Sequence, residues 1–161
     1  MQIGCEVSWD GDVFPCWRRS AGNAPSPNSD VWGPLPPVMR WYEAKIQPED
    51  ISSLYLIGSG DLLETFGSYR LTRIGKEFDG SDKHNHQIRV RSLVGYVRSA
   101  GFLERPILVS ESSNGPFVII DGNHRSLAYY ACDRLPGLDV YLGMSANLLS
   151  MYRWARYALQ R

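Results

Sequence analysis

The clearest pattern of apolar and polar positions lies in the second half of the chain. Residues 107–109 and 117–120 are short apolar runs, and a polar segment with Gly and Pro separates them. Short apolar runs bounded by such residues are typical of strands joined by a turn. A segment that is compatible with a helix begins at about residue 124. The pattern therefore predicts a β-hairpin that leads into a helix.

Upstream of this hairpin, strands and short helices are expected to alternate. From Arg40 onward apolar side chains occur at every second position, which predicts a half-buried strand. A helix is expected over residues 88–100, and a closing strand over residues 138–142. The shorter expected elements are a helical turn at 48–50, strands at 54–57 and 69–74, a helix at 61–66 and a last amphipathic helix from Ser145. Residues 40–161 are thus predicted to be one α+β domain, a small mixed β-sheet flanked by helices.

The first 39 residues do not follow this pattern. Five prolines lie between residues 25 and 37, among Gly, Ser and Asn. Proline removes a backbone donor and breaks regular ladders, so the segment 1–39 is predicted to be irregular. Its aromatic residues favour a segment that covers the core, and a lid over a ligand is the alternative.

Composition and charge argue against a DNA-binding protein and against a membrane-spanning segment. The chain has 161 residues, 43% of them hydrophobic, and its 17 basic and 17 acidic residues give no net charge. Proteins of duplex DNA are usually more basic, because phosphate contacts supply much of their affinity. A nucleic-acid partner is therefore not expected. The absence of a long apolar run argues against a membrane segment, and three widely spaced cysteines favour a reducing compartment, so the cytoplasm is the expected location.

The polar residues at the start of the predicted helix after the hairpin carry the most informative chemistry. Gly122 suits a tight turn, because glycine adopts positive φ at little steric cost. The N–H groups and the positive dipole end of a helix start attract anions. His124 and Arg125 would add donors that fit phosphate oxygens. The simpler alternative is a helix start whose two side chains point into water.

The run Asp121-Gly122-Asn123-His124-Arg125 resembles the phosphate-binding turn of the ParB/sulfiredoxin superfamily, in the form carried by its small-molecule kinases. The hairpin before it and the helix before that hairpin are also similar, so the resemblance covers residues 84–143. It implies a ParB/sulfiredoxin-like fold that binds a nucleotide, ATP or ADP (or CTP), together with Mg²⁺. The residues that it assigns to the nucleotide are Arg89, Ser92, Gly122, Asn123, His124 and Arg125.

The same resemblance implies transfer of a phosphoryl group to a small hydroxylated molecule. The kinase-like relatives carry an acidic residue just before the helix that contains Arg89, whereas this chain has Asn85 there. A general base must then come from elsewhere, and histidine suits the task because it titrates close to neutral pH. The candidate bases are His84, His86, Glu43 and Asp121. A metal site at the two neighbouring histidines is disfavoured, because no further ligand has a diagnostic spacing.

Asp121 has two candidate roles that the sequence leaves open. It could hold Mg²⁺ together with phosphate oxygens, or it could cap the helix that follows. Asn123 occupies the position of the sulfiredoxin nucleophile, which excludes sulfinic-acid reduction by that mechanism. Two further functions remain as alternatives: a ParB-like nucleotide hydrolase or nuclease that acts with nucleic acid, and a non-enzymatic module that binds a phosphorylated ligand. The acceptor, the choice of nucleotide and the oligomeric state are not determined by the sequence.

Overall fold

The computed structural model describes residues 1–7, 39–79, 83–99, 101–151, 155 and 159. The strands are β1 (Gln2–Val7), β2 (Arg40–Lys45), β3 (Leu54–Leu56), β4 (Ile107–Ser110), β5 (Phe117–Asp121) and β6 (Asp139–Met144). The α-helices are α1 (Gly60–Phe66), α2 (His86–Arg98), α3 (Asn123–Ala131) and α4 (Leu148–Met151). Two 3₁₀ turns cover Pro48–Ser53 and Leu71–Arg73. No helix in these ranges is long and apolar enough to cross a membrane.

The strands form one six-stranded sheet in the order β1-β2-β6-β4-β5-β3. The β4–β6 and β3–β5 pairs are parallel and the other pairs are antiparallel, so the sheet is mixed, as predicted. β4 and β5 pair with Leu108 opposite Ile119, which confirms the predicted hairpin. Every residue of these two strands except Asp121 is buried. Strands that are buried on both faces require continuous rather than alternating apolar residues, and this is the pattern that their sequences show.

Helices α2 and α3 pack against each other in the core. Val90, Val94 and Val97 lie on the buried side of α2, at the spacing of one helix face. Small residues of α3, Ala128 and Ala131, are buried as well. His86 at the start of α2 contacts His124 in the first turn of α3, so the starts of the two helices lie close together. This packing positions the candidate site.

Two parts of the chain differ from the prediction. Residues 1–39 are predicted to be irregular, but Gln2–Val7 form an edge strand, whose half-exposed and polar residues give only a weak pattern. Residues 8–38, with the predicted cover or lid, lie outside the described residues. A strand is predicted over 69–74, but the chain forms the 3₁₀ turn Leu71–Arg73 after a single bridge at Arg70. The hydroxyl of Ser68 accepts the Arg70 N–H at 3.0 Å, a local bond that competes with a strand ladder.

Candidate functional site

The turn between β5 and α3 places a glycine in left-handed backbone at the start of a helix. β5 is buried up to Ile120, and α3 begins at Asn123. Between them Gly122 adopts a φ of 82°, in the left-handed region, and is the N-cap of α3. Glycine has no side chain with which to cap the helix, so an oxygen of a ligand can approach the first N–H groups closely.

A side chain at Gly122 is therefore expected to destabilise the folded protein. A Cβ built there would lie 3.0 Å from Nε of Arg125. Left-handed backbone costs an L-residue about 1–2 kcal/mol, so Gly122→Ala should lower the free energy of unfolding by at least that amount. Gly75→Ala is the matched control, since a Cβ at Gly75 would meet nothing within 4 Å. Urea denaturation measures both, and equal effects of the two changes would contradict a strained turn at Gly122.

Arg125 is held between two carboxylates. Its Nη1 lies 3.1 Å from Oε2 of Glu104, and its Nη2 donates to Oδ2 of Asp121. The Arg125 side chain is 16% exposed, whereas that of Glu104 is 74% exposed. An ion pair to so exposed a carboxylate contributes little to stability. A phosphate group could therefore replace Glu104 on the guanidinium at small cost.

Asp121 makes a contact that neither predicted role includes. Its carboxylate forms an i,i+4 ion pair with Arg125 and thereby orients the guanidinium. In the part of the chain that the structure describes, no group of three or more His, Cys, Asp or Glu residues could hold a metal ion. Mg²⁺ commonly takes one or two carboxylates and completes its shell with phosphate oxygens and water. Asp121 fits such an ion only when a nucleotide supplies the remaining ligands.

Asn123 connects the turn to the neighbouring strand. Its Oδ1 accepts the N–H of Ile57 at 3.0 Å, immediately after β3. The resemblance implies that Asn123 contacts the nucleotide; in the structure its side-chain oxygen holds the turn against the residue that follows β3. The sequence does not reveal this contact, because β3 becomes a neighbour of β5 only through sheet pairing.

All three histidines of the chain lie in one cluster beside this turn. The rings of His86 and His124 stack with their centroids 4.9 Å apart, and Nδ1 of His86 lies 2.8 Å from Nε2 of His124. The centroid of the His84 ring is 5.7 Å from that of His86. The side chain of His86 is only 11% exposed. The cluster forms because α2, which begins at His86, packs on α3, which begins one residue before His124.

Asp61 completes the cluster, and the sequence did not identify it as a site residue. Its Oδ2 lies 3.2 Å from Nε2 of His86. Its Oδ1 accepts the N–H of Leu62 at 3.0 Å and the hydroxyl of Ser59. The sequence predicts a helix over 61–66, and in the structure Asp61 lies in the first turn of α1, whose N-cap is Ser59.

His84 lies at the rim of the cluster, where it pairs with Glu64. Nε2 of His84 is 3.3 Å from Oε2 of Glu64, and Nζ of Lys83 is 2.5 Å from Oε1 of the same carboxylate. Hydrogen bonds from Lys83 and His84 hold the pKa of the exposed Glu64 below its ordinary value. His84 is thus engaged with surface charges, while His86 contacts the turn.

Asn85, between these two histidines, has a structural explanation. It is the N-cap of α2 and has a φ of 58°, in the left-handed region. Asparagine tolerates this conformation better than most residues. The resemblance implies an acidic residue at this position, whereas here Asn85 takes the left-handed backbone conformation from which α2 begins.

The structure does not bring the other predicted residues into the cluster. Glu43 lies on β2, which β6 and β4 separate from β5, and its carboxylate accepts from Arg105 at 2.7 Å. Arg89 and Ser92 are exposed on α2, in the two turns that follow His86. Within the described ranges, the guanidinium of Arg89 has no hydrogen-bond or ion-pair partner. Arg89 is therefore an exposed cation on α2, three residues after His86.

Comparison with known proteins identifies no relative of this chain. No protein-family model, curated protein or solved structure matches the chain.

Proposed function

We propose that the protein binds a nucleotide through its phosphates at the β5–α3 turn and transfers a phosphoryl group to a small hydroxylated molecule. The proposed fold is ParB/sulfiredoxin-like, and the proposed nucleotide is ATP or ADP, or CTP. The observation that supports this most strongly is the convergence of Arg125 and the histidine cluster on the turn that begins α3. Arginine and a helix start suit phosphate binding, and histidine suits proton transfer.

The phosphates would take the place of weak contacts that the turn now makes. Arg125 already has its guanidinium oriented by Asp121, so binding costs little side-chain ordering. Displacement of the exposed Glu104 would leave donors for phosphate oxygens. Arg89, one turn along α2 from His86, would add a second positive charge. When bound, Mg²⁺ would neutralise phosphate charge, and Asp121 is the residue that would hold it.

Phosphoryl transfer at this site would rest on positioning and charge stabilisation. The acceptor hydroxyl must lose its proton as its oxygen bonds to phosphorus, and a neutral imidazole beside the turn can take that proton. His124 is the histidine that lies in the first turn of α3, next to Arg125. We therefore assign it as the catalytic base.

A second function, a non-enzymatic module for a phosphorylated ligand, is favoured by one observation. The Asp121 carboxylate is engaged with Arg125, as expected of a residue that only shapes an anion site. Nucleic acid is the less favoured partner because the chain has no net charge. The free thiols of Cys5 and Cys132 fit a reducing compartment, and we place the protein in the cytoplasm.

A thermal-shift screen of ATP, ADP and CTP, each with and without Mg²⁺, tests the proposal. A ligand at 100 times its Kd stabilises the folded state by about 2.7 kcal/mol. For a chain of this length that corresponds to a rise in Tm of about 5–10 °C. Adenosine, which lacks phosphate, should cause no shift, and an adenosine shift equal to that of ATP would contradict recognition through phosphate. Nucleotide binding without turnover of any alcohol, amino acid or nucleic acid would favour the binding module.

A further inference from the structure

We propose that Asp61 and His86 are positioning residues that fix the tautomer of His124 and make its Nδ1 the atom that receives the acceptor proton. This rests on the proposed phosphoryl transfer. The chain of contacts runs from α1 through α2 to α3, in the order Asp61, His86, His124. Each contact joins two polar atoms whose donor and acceptor roles can be worked out.

The orientation of the Asp61 carboxylate is set by a backbone group. The N–H of Leu62 can only donate, so the oxygen that it contacts at 3.0 Å, Oδ1, must be an acceptor. The hydroxyl of Ser59 donates to the same oxygen. The other oxygen, Oδ2, is thereby directed to Nε2 of His86, 3.2 Å away.

The tautomers of both histidines follow from this orientation. An ionised carboxylate only accepts hydrogen bonds, so Nε2 of His86 carries the proton. In neutral His86 the other nitrogen, Nδ1, then has the lone pair. It lies 2.8 Å from Nε2 of His124, which must be the donor. His124 is therefore protonated at Nε2, and its Nδ1 is the basic nitrogen.

The proton transfer can be written with this assignment. The acceptor hydroxyl gives its proton to Nδ1 of His124 while its oxygen forms a bond to the terminal phosphorus of a nucleoside triphosphate. The bond from that phosphorus to the bridging oxygen breaks, and the electron pair leaves with the nucleoside diphosphate. His124 becomes an imidazolium whose Nε2–H faces His86, and His86 faces the Asp61 carboxylate. The new positive charge is thus stabilised through the chain of contacts Asp61–His86–His124, which is called the relay below. Because His86 is buried, water competes little for these contacts.

The charged groups around the relay agree with this direction of proton movement. α1 contributes Asp61 on His86, and it also contributes Glu64, which is engaged with Lys83 and His84 at the rim. On α3, Arg125 is neutralised by Asp121 and Glu104. Within the described residues, Asp61 supplies a carboxylate oxygen 3.2 Å from Nε2 of the buried His86, and this negative charge favours a positive charge on the histidine pair.

The substitution Asp61→Asn should reverse both tautomers. The Leu62 N–H requires an acceptor, so the carbonyl oxygen of the new Asn should occupy the Oδ1 position. Its NH₂ group would then face Nε2 of His86 and donate to it. His86 would carry its proton on Nδ1 and donate to Nε2 of His124, which would leave His124 protonated at Nδ1. Long-range ¹H–¹⁵N NMR correlations of the imidazole rings measure this without any substrate.

The same substitution should lower kcat for phosphoryl transfer and leave KM for the nucleotide unchanged. Loss of general base catalysis typically costs about 100-fold or more in rate. The matched control is Glu64→Gln, on the same helix, which removes a carboxylate that contacts His84 rather than His86. This control should keep both tautomers and the wild-type kcat.

The two measurements separate the relay from the proposed function. Wild-type spectra with either His86 or His124 protonated at Nδ1 would overturn the relay, and this result does not depend on the folding of any variant. Unchanged tautomers in Asp61→Asn, or reversed tautomers with an unchanged kcat, would also overturn it. A wild-type protein that binds no nucleotide would defeat the proposed function, while the spectra would still decide the hydrogen-bond chain.

Discussion

Replacement of Arg125 by alanine is expected to weaken nucleotide binding by roughly 1.5–3 kcal/mol, the usual range for hydrogen bonds to charged groups. This corresponds to an increase in Kd of about 10- to 150-fold. The effect should be this large because the guanidinium is only 16% exposed and is already oriented by Asp121. Isothermal titration with the nucleotide that gives the largest thermal shift measures it.

A matched arginine controls for the loss of an ion pair. Arg105 pairs with Glu43 at 2.7 Å on the sheet, and it lies over the ring of Tyr141. Arg105→Ala also removes one positive charge and one salt bridge, but it lies outside the turn and should leave nucleotide affinity unchanged. If a folded Arg125→Ala protein bound nucleotide as tightly as the wild type, the turn would have a structural role only.

The second large effect is a loss of stability on truncation of a buried side chain of β5, the strand that precedes the turn. Phe117 is fully buried at the start of β5, opposite Leu54 of β3. Phe117→Ala should lower the free energy of unfolding by about 3–5 kcal/mol, since it removes a large apolar side chain and leaves a cavity. Urea denaturation at constant temperature measures the change.

Phe102 provides the control for this substitution, because its side chain is 87% exposed. Phe102→Ala should change stability by no more than about 0.5 kcal/mol, as most surface substitutions do. Similar losses for the two variants would mean that Phe117 does not contribute to a packed core.

Much of the architecture near the site could be predicted from local sequence. The hairpin, the helix after it and α2 are encoded by apolar runs and helix periodicity, and each agrees with the structure within a few residues. The elements that were missed have weaker local signals. β1 is an exposed edge strand, and the segment 69–74 is apolar enough for a strand but bonds locally through Ser68.

For the acid–base part of the site, the sequence predicts individual residues but not the contacts between them. His84, His86 and His124 were each identified as candidates, but the pairing of His86 with His124 was not. Glu43 is a candidate base of the correct chemical type, but two strands, β6 and β4, separate its strand from β5. Asp61 is not a candidate from the sequence, because a single acidic residue before an apolar run has no feature that reveals a distant histidine.

Local sequence is enough to specify the β5–α3 turn, because its glycine, its helix start and Arg125 are neighbours along the chain. The carboxylate and the histidines that meet beside this turn are selected by tertiary packing. Asp61 and His86 are 25 residues apart and His86 and His124 are 38 apart, so only the packing of α1 and α3 around the start of α2 brings their polar atoms into contact. Local backbone preferences act over a few residues, whereas such contacts depend on the burial of apolar faces that are remote in sequence.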